Sequence, residues 1–326
     1  MVKPTDIGVV IIGRNEGRRL VDSLNAVIDT VHHVVYVDSG STDGSRDMAE
    51  RLGVEVVELD MSMPFTAARA RNAGFECLYH SNPEIRYMQF LDGDCEVVDG
   101  WINSAISTLE SELDVGVVCG RLRERYPEYS VYNQLCDMEW DTSVGEVQAC
   151  GGIFLIRASL FKKMDGFNAA INAGEEPELC LRIRQKGWKI WRLKDDMALH
   201  DANISHFSQW WKRNVRGGYA FAEGAYMHGQ EPERHWVAES VRIWLWGFII
   251  PLGILTAAIF EPFYIVLSLV YPVQVIRIAI RLGAVQQSNW KYAFFVMLGK
   301  FPEMQGQLKF LLSKLFKSRS TIIEYK

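Results

Sequence analysis

The sequence predicts an α/β domain with a mostly parallel sheet, followed by a C-terminal helical hairpin and an amphipathic segment. Over the first two thirds of the chain, short runs rich in valine and isoleucine alternate with stretches of helical periodicity. Runs that are apolar at nearly every position suit strands buried on both faces, and their alternation with helices favours a parallel sheet. Near Val237 this pattern gives way to long apolar stretches. We therefore expect one large domain with an appendage.

Five apolar runs are the predicted strands of the sheet. In chain order they are Gly8–Ile12, Val34–Val37, Val54–Leu59, Arg86–Leu91 and Val115–Cys119. Polar, turn-forming residues follow the first, second and fourth runs, beginning at Gly13, Asp38 and Asp92. Because ligands of such sheets bind beyond the carboxyl ends of the strands, this rim is the predicted functional site.

The long apolar stretches predict a membrane hairpin. Ile243–Phe260 carries no charged residue, and at about 1.5 Å per residue it is just long enough to cross a hydrocarbon core of about 30 Å. Glu261 and a proline separate it from a second apolar arm, Phe263–Ile276. The positive-inside rule places both open ends in the cytosol, because these ends carry the arginines Arg234, Arg242, Arg277 and Arg281. The alternative is a buried helical hairpin of a soluble domain.

These patterns divide the chain into three predicted regions. The α/β domain takes residues 1–236, the transmembrane hairpin 237–284 and a basic amphipathic segment 285–326. In the last region, Trp290–Lys317 mixes aromatic residues and leucines with lysines, which is typical of a helix lying among lipid headgroups.

Composition excludes several classes of function. The net charge of −5 gives no reason to expect a nucleic-acid partner, which would attract a basic protein. The six cysteines end at Cys180 and form no CxxC pair, as expected for thiols in a reducing compartment. The N-terminus runs straight into the first strand without the pattern of a secretory signal, so the first domain is expected in the cytosol.

Asp92-Gly93-Asp94 is the strongest single indication of chemistry. Two carboxylates one residue apart at a strand end can converge on Mg²⁺ or Mn²⁺, and the ion can then hold a diphosphate. The same three residues also make an ordinary turn. Their position directly after a buried strand favours the metal.

Six segments in order resemble those of the family 2 glycosyltransferases of the GT-A fold, over Ile7–Gly218. The segments are VVIIGRNE (9–16), VVYVDSGSTDGS (34–45), ARARNAG (68–74), FLDGDCE (90–96), CGGIFLIRASLFKKMDGFN (150–168) and GEEPELCLRIRQKG (174–187). The resemblance implies a Rossmann-like GT-A domain that binds a nucleotide-sugar.

The resemblance implies a set of residues that bind the nucleotide-sugar: Arg14, Glu16, Asp38, Arg71, Asp92, Gly151, Gly152 and Arg213. Asp38 resembles the acid that accepts the uracil imide N–H, although an Asx-turn would also explain it, as a turn or helix cap explains Asp43. Arg71 resembles a contact to the base or diphosphate; the alternative is a surface arginine. Arg14 stands where relatives often carry an aromatic residue beneath the base.

The implied metal ligands are Asp92, Asp94 and His200, with Mn²⁺ or Mg²⁺ as the cofactor. In the family, the second acid binds the ion directly and the first reaches the ribose, or the ion through water. His200 resembles a late histidine that completes the metal shell, a role that imidazole can play for Mn²⁺. His206 is an equally available candidate.

The resemblance also implies a general base at the start of a helix that Pro177 marks. Glu176 falls on the catalytic acid position, with Glu in place of the commoner Asp, and Glu175 is assigned to the acceptor side. The dipole of the helix favours the charged carboxylate, so Glu176 is expected to be ionised at neutral pH. Glu178 lies four residues before Arg182, and an ion pair within the helix explains it.

Gln209–Arg213 resembles the QxxRW motif of processive polysaccharide synthases, but Asn214 replaces its final tryptophan. Processivity is therefore not implied. Arg213 and Arg216 are expected to neutralise the leaving diphosphate instead.

The expected function is inverting transfer of a hexose from a UDP-sugar to a lipid-linked saccharide or surface-polysaccharide acceptor at the cytoplasmic face of a membrane. Expected partners are membrane lipids, together with further copies of the chain or polysaccharide-assembly proteins. One alternative is a polyprenyl-phosphate glycosyltransferase, which needs no base. Another is a non-catalytic scaffold subunit, against which Asp92, Asp94 and Glu176 together argue.

Overall fold

A computed structural model describes residues 3–316, which form two units. The first unit runs through Tyr126 and from Glu139 to Ala202. The second consists of Pro127–Met138 and the chain from Asn203 onward. The first unit ends at Ala202, and the division of the chain at residue 236 stays a prediction. The part of the predicted amphipathic segment from residue 317, which includes Lys317, lies outside the described residues.

The strands are β1 (Ile7–Gly13), β2 (His33–Asp38), β3 (Glu55–Glu58), β4 (Tyr87–Asp92), β5 (Cys95–Val97), β6 (Val115–Glu124), β7 (Gly145–Glu146), β8 (Phe154–Arg157) and β9 (Lys189–His200). The helices are α1 (Arg18–Asn25), α2 (Ser45–Arg51), α3 (Ala67–Ser81), α4 (Trp101–Ser111), α5 (Val131–Glu139), α6 (Ala158–Lys163), α7 (Glu175–Gln185), α8 (Phe207–His228), α9 (Val237–Trp244), α10 (Ile250–Phe260), α11 (Val270–Leu282) and α12 (Gln287–Leu315). All five predicted strands are confirmed.

Within the described chain the strands form one nine-stranded sheet in the order β3-β2-β1-β4-β8-β6-β9-β5, with β7 beside β9. The first four strands in this order, β3, β2, β1 and β4, run parallel to their neighbours, as predicted. Beyond them β8 runs antiparallel to both β4 and β6, while β6 and β9 are parallel. The sheet is thus mixed beyond β4, because β8 inserts in the opposite direction.

The core of the first unit packs against β1, whose residues Val9, Val10 and Ile11 are fully buried. Helix α3 lies close against this strand because Gly74 has no side chain: a Cβ at that position would collide with Val10. Apolar burial on both faces of the strand explains its unbroken apolar run. This packing fixes α3 relative to the carboxyl ends of β1 and β4.

The second unit is helical, and α8 belongs to it because α8 packs closely on α12. A Cβ on Gly218 of α8 would collide with the backbone of Glu303, and a Cβ on Gly306 of α12 would collide with the backbone of Val215. Helix α12 is one 29-residue helix containing Pro302, and its buried face includes Met297. The predicted C-terminal helix is therefore present, with one face packed on protein.

Two helical segments of the second unit are long and apolar enough to cross a membrane. Val237–Phe260 has 24 residues and Pro262–Leu282 has 21, and 18-residue windows within them reach mean hydropathies of 2.1 and 1.9. At about 1.5 Å per residue both exceed a hydrocarbon core of about 30 Å. Their apolar side chains are mostly exposed, including Phe260 and Phe263 at the turn. This exposure does not fit the alternative of a buried soluble hairpin.

Candidate active site

Asp94 and His200 lie side by side at the carboxyl rim of the sheet. Their Oδ2 and Nε2 atoms are 3.2 Å apart, and Asp94 is buried. The strand register explains the pairing, because Cys95 of β5 lies opposite His200 in the antiparallel pair with β9. The Asp201 N–H also donates to the Asp94 carbonyl at 3.1 Å. Two positions far apart in sequence therefore meet, and their role as metal ligands stays a prediction.

The Asp94 and His200 pair fits a divalent cation. Donor atoms of Asp94, Cys95 and His200 lie within 4.8 Å of one another. His200 Nδ1 is buried without a hydrogen-bond partner among the described residues, and the His200 ring packs 4.7 Å from that of Trp140. Carboxylate oxygen and imidazole suit Mn²⁺, and oxygen ligands suit Mg²⁺. His206, the other candidate, precedes α8 in the second unit.

Arg71 joins the Asp92-Gly93-Asp94 turn to the start of α7. Its two terminal nitrogens donate to Asp92 Oδ1 at 2.8 Å and to Glu175 Oε1 at 2.7 Å. Arg71 is only 2% exposed, so it is not the surface arginine of the alternative interpretation. Burial alone would lower its pKa, but the two carboxylates outweigh burial and raise it. A contact between Arg71 and a nucleotide stays a prediction.

Gly151 and Gly152 border this arginine. Gly151 has φ +79°, a left-handed conformation that favours glycine. A Cβ at Gly152 would lie 2.7 Å from the terminal Nη2 of Arg71 and 3.4 Å from Asp92 Oδ2. Gly152 therefore needs to be a glycine where it approaches Arg71, and contact of either glycine with a diphosphate stays a prediction.

Glu176 is buried beneath the start of α7, where its Oε1 accepts three hydrogen bonds. The donors are the Cys150 N–H at 2.7 Å, the Cys150 thiol at 3.0 Å and the Cys180 thiol at 2.9 Å. Burial raises the pKa of Glu176 although these hydrogen bonds lower it. The ionisation of Glu176 at neutral pH stays a prediction. The predicted helix start itself is confirmed.

The loop after β2 holds Asp38 in a turn. Its Oδ2 accepts the N–H groups of Gly40 and Ser41 at 3.0 and 2.9 Å, and its Oδ1 accepts the Tyr36 hydroxyl at 2.9 Å. This is the Asx-turn geometry of the alternative interpretation. A carboxylate has about four acceptor positions, so one remains for a ligand.

The other predicted donor-site residues are distributed between the two units. Arg14 lies over the Phe65 ring, with 4.9 Å between its guanidinium carbon and the ring centre. Glu16 pairs with Arg19 at 2.7 Å. Arg213 lies on α8, in the second unit, and its role stays a prediction.

Sequence reasoning missed Cys150 and Cys180 as neighbours of Glu176. Cys180 lies one helical turn after Glu176, so the spacing alone could have placed it on the same face of α7. Cys150 comes from the loop before β8, 26 residues earlier, and no local pattern links it to the helix. Burial raises the pKa of both thiols, and that of Cys180 to about 11.

Known sequences resemble part of the chain. A family model described as glycosyl transferase family 2 matches residues 8–165. Glycosyltransferase AglE of Haloferax volcanii is 24% identical over 65% of this chain and 71% of its own length. Succinoglycan biosynthesis protein ExoA of Rhizobium meliloti is 28% identical over 48% of this chain and 50% of its own length. The chain thus spans about half of that second relative.

Solved structures share the fold. Mannosyltransferase PcManGT from Pyrobaculum calidifontis, a complex with GDP-Man and Mn²⁺, superposes over 98% of this chain and 90% of its own, with a TM-score of 0.66 and 16% identity. Glucosyl-3-phosphoglycerate synthase from Mycobacterium tuberculosis, with Mg²⁺ and UDP, superposes over 69% and 80%, with a TM-score of 0.52 and 16% identity. Residues 8–165 thus match a glycosyl transferase family 2 model, and the solved structures share the GT-A fold of the chain.

Proposed function

We propose that this protein transfers a hexose from a UDP-sugar to a lipid-linked saccharide or surface-polysaccharide acceptor at the cytoplasmic face of a membrane, with inversion at the anomeric carbon. The observation that carries the proposal is the linked set of side chains at the sheet rim. Arg71 holds the carboxylates of Asp92 and Glu175 together, and Asp94 lies against His200. This arrangement offers a cation site at Asp94 and His200, and it fixes the carboxylate of Glu175 on the other side of Arg71.

Asp94 and His200, with Asp92 beside them, would hold Mn²⁺ or Mg²⁺. The ion would act as a Lewis acid that stabilises charge on the leaving diphosphate. Structures of similar fold were solved with GDP-Man and Mn²⁺ or with UDP and Mg²⁺, which supports a nucleotide-sugar donor. The choice of UDP depends on Asp38, whose remaining acceptor position suits the uracil imide N–H. Arg14, Arg71 and Arg213 remain proposed contacts to the donor.

Glu176 is the proposed general base that removes the proton of the acceptor hydroxyl. A base works best when its pKa lies near the working pH, and burial raises the pKa of Glu176 in that direction. Glu175 would orient the acceptor side, because its carboxylate is fixed by Arg71 at 2.7 Å. The thiols of Cys150 and Cys180 hold the Glu176 carboxylate in place.

Attachment to a membrane would bring the site to a lipid-borne acceptor. The two apolar helical segments supply the attachment, and both open ends of the hairpin carry arginine, which favours their cytosolic placement. A relative described as a succinoglycan biosynthesis protein supports an acceptor in polysaccharide synthesis.

A second candidate is a polyprenyl-phosphate glycosyltransferase. The burial of Glu176, which is 4% exposed, favours it, since a lipid phosphate acceptor needs no base. In that case Glu176→Gln keeps most of its turnover.

Release of UDP from a panel of UDP-sugars in the presence of Mn²⁺, followed by analysis of lipid-extracted products, tests the proposal. We expect Asp94→Ala to abolish release, because it removes a proposed metal ligand. Asp99→Ala is the matched control, since Asp99 is an exposed acid five residues further along. If neither the unmodified chain nor Asp94→Ala releases UDP, the protein is a scaffold. If both release UDP equally, the enzyme does not depend on a metal at Asp94. A product with retained configuration would exclude Glu176 as the base.

A further inference from the structure

A second group of metal-ligating side chains lies beneath the start of α7. It consists of Cys150, Glu176 and Cys180, whose donor atoms all lie within 4.8 Å of one another. The two sulphurs are 3.6 Å apart, and both contact the same oxygen of Glu176. Two parts of the chain converge here: the loop before β8 and one face of α7. We name these three residues the thiol cluster.

We propose that the thiol cluster is a binding site for a thiophilic divalent cation of the Zn²⁺ type, separate from the Asp94 and His200 site. Two cysteine sulphurs and one carboxylate oxygen are ligands that Zn²⁺ accepts, whereas Mg²⁺ prefers oxygen alone. Glu176 and Cys180 are four residues apart on one helix, a spacing that presents two ligands to one ion.

The distances in the thiol cluster are close to those of a tetrahedral site. With Zn–S near 2.3 Å and Zn–O near 2.0 Å, tetrahedral angles separate two sulphurs by about 3.8 Å and a sulphur from an oxygen by about 3.5 Å. The sulphurs already stand 3.6 Å apart. The Glu176 oxygen, at 2.9 and 3.0 Å from the sulphurs, needs to move by roughly half an ångström, a distance a small side-chain rotation covers.

The same contacts also describe a cluster of hydrogen bonds, in which two thiols donate to a carboxylate. Metal binding replaces both thiol protons, since a coordinating thiol is deprotonated. The positive ion would then neutralise acidic groups that are packed together in a buried place. Because the proposed base Glu176 would be a ligand, Zn²⁺ would also inhibit sugar transfer; this consequence alone depends on the proposed function.

Metal binding is tested on the full-length protein after treatment with chelator and reductant. Addition of Co²⁺ or Cd²⁺ should produce a thiolate-to-metal charge-transfer absorption that Zn²⁺ displaces. Cys150→Ser and Cys180→Ser should each weaken binding about tenfold or more, because even the partners of metal ligands contribute 10- to 100-fold. Asp94→Ala should keep the absorption, which assigns it to the thiol cluster.

Cys77→Ser is the matched control. Cys77 is also a thiol beside a carboxylate, 3.2 Å from Glu55 Oε1, but it has no second thiol within reach in that contact. The Cys77→Ser variant should bind the metal as tightly as the unmodified protein. Thermal melting of each serine variant checks that the fold is intact. Absorption that survives in the Cys150→Ser, Cys180→Ser double variant would overturn the proposal. A disulfide between the two cysteines with no bound metal, found by mass spectrometry without reductant, would overturn it as well.

Metal binding and function can fail separately. If Zn²⁺ binds the thiol cluster but no UDP-sugar reacts, the proposed function fails and the metal site stands. If UDP-sugars react and Zn²⁺ neither binds nor inhibits, the metal site fails and the function stands.

Discussion

Glu176 is subject to two opposing effects at the residue scale. Three donors favour its charged form, and burial favours its neutral form. Burial is the larger effect, so its pKa is raised from the ordinary 4.5. A buried carboxyl whose pKa is raised toward neutrality is suited to taking up a proton and releasing it again.

The rate of sugar transfer should therefore fall at low pH. A base acts only when deprotonated, so kcat decreases as the pH falls through the pKa of Glu176, at a pH above 4.5.

Cys180→Ala removes a hydrogen bond that lowers the pKa of Glu176 and should move the acidic limb of the kcat profile to higher pH. Cys77→Ala, the control, should leave the limb in place. Glu176→Gln should reduce kcat by about 10²- to 10⁴-fold. Profiles of kcat against pH measure all of these; an acidic limb that does not move in Cys180→Ala would contradict the assignment.

Some site residues could be predicted from sequence and others could not, for reasons of distance along the chain. Asp92 and Asp94 were found because a short motif and a preceding strand reveal them. The bridge made by Arg71 was missed, since its partners Asp92 and Glu175 are 21 and 104 residues away. Only the folded sheet brings these three side chains together.

At the scale of elements, the strands were predictable where they are buried on both faces and parallel. Strands β5, β7 and β8 have two to four residues each, too few for a periodic signal to define them. Helix α8 was assigned to the α/β domain because its sequence shows no break from the preceding residues. Its place in the second unit depends on glycine contacts with α12 that periodicity does not reveal.

The contact between α8 and α12 provides a stability test within one helix. Gly218→Ala should destabilise the protein by about 1–3 kcal/mol, because its Cβ would collide with the Glu303 backbone. The neighbouring Gly217→Ala is the control: its Cβ would meet nothing within 4 Å, and alanine favours helix by up to about 1 kcal/mol. Thermal unfolding in detergent compares the two variants. Equal melting temperatures would show that the helices do not pack closely.

At the scale of the whole molecule, the chain combines a GT-A domain with two helical segments whose apolar surface is mostly exposed. Contiguous exposed apolar surface of this length is costly in water and favourable in lipid. The charges at the ends of the hairpin give an orientation that can be tested directly.

Topology can be measured with engineered cysteines, since the chain has no native cysteine after Cys180. In intact cells a membrane-impermeant maleimide should label Glu261→Cys, because the turn is expected on the outer side. It should label Gln286→Cys only after lysis, because both open ends are expected in the cytosol. Labelling of both positions from the same side would show that the hairpin does not span the membrane.

The position of Arg71 between Asp92 and Glu175 has a thermodynamic consequence. One guanidinium forms ion pairs with two carboxylates. A ligand that strengthens or weakens the ion pair between Arg71 and Asp92 therefore also changes the charge balance at Glu175. Linkage makes such an effect reciprocal: whatever the donor side does to the affinity of the acceptor side, the acceptor side does equally to the donor. Cooperative binding of the two substrates would then originate in a single buried side chain.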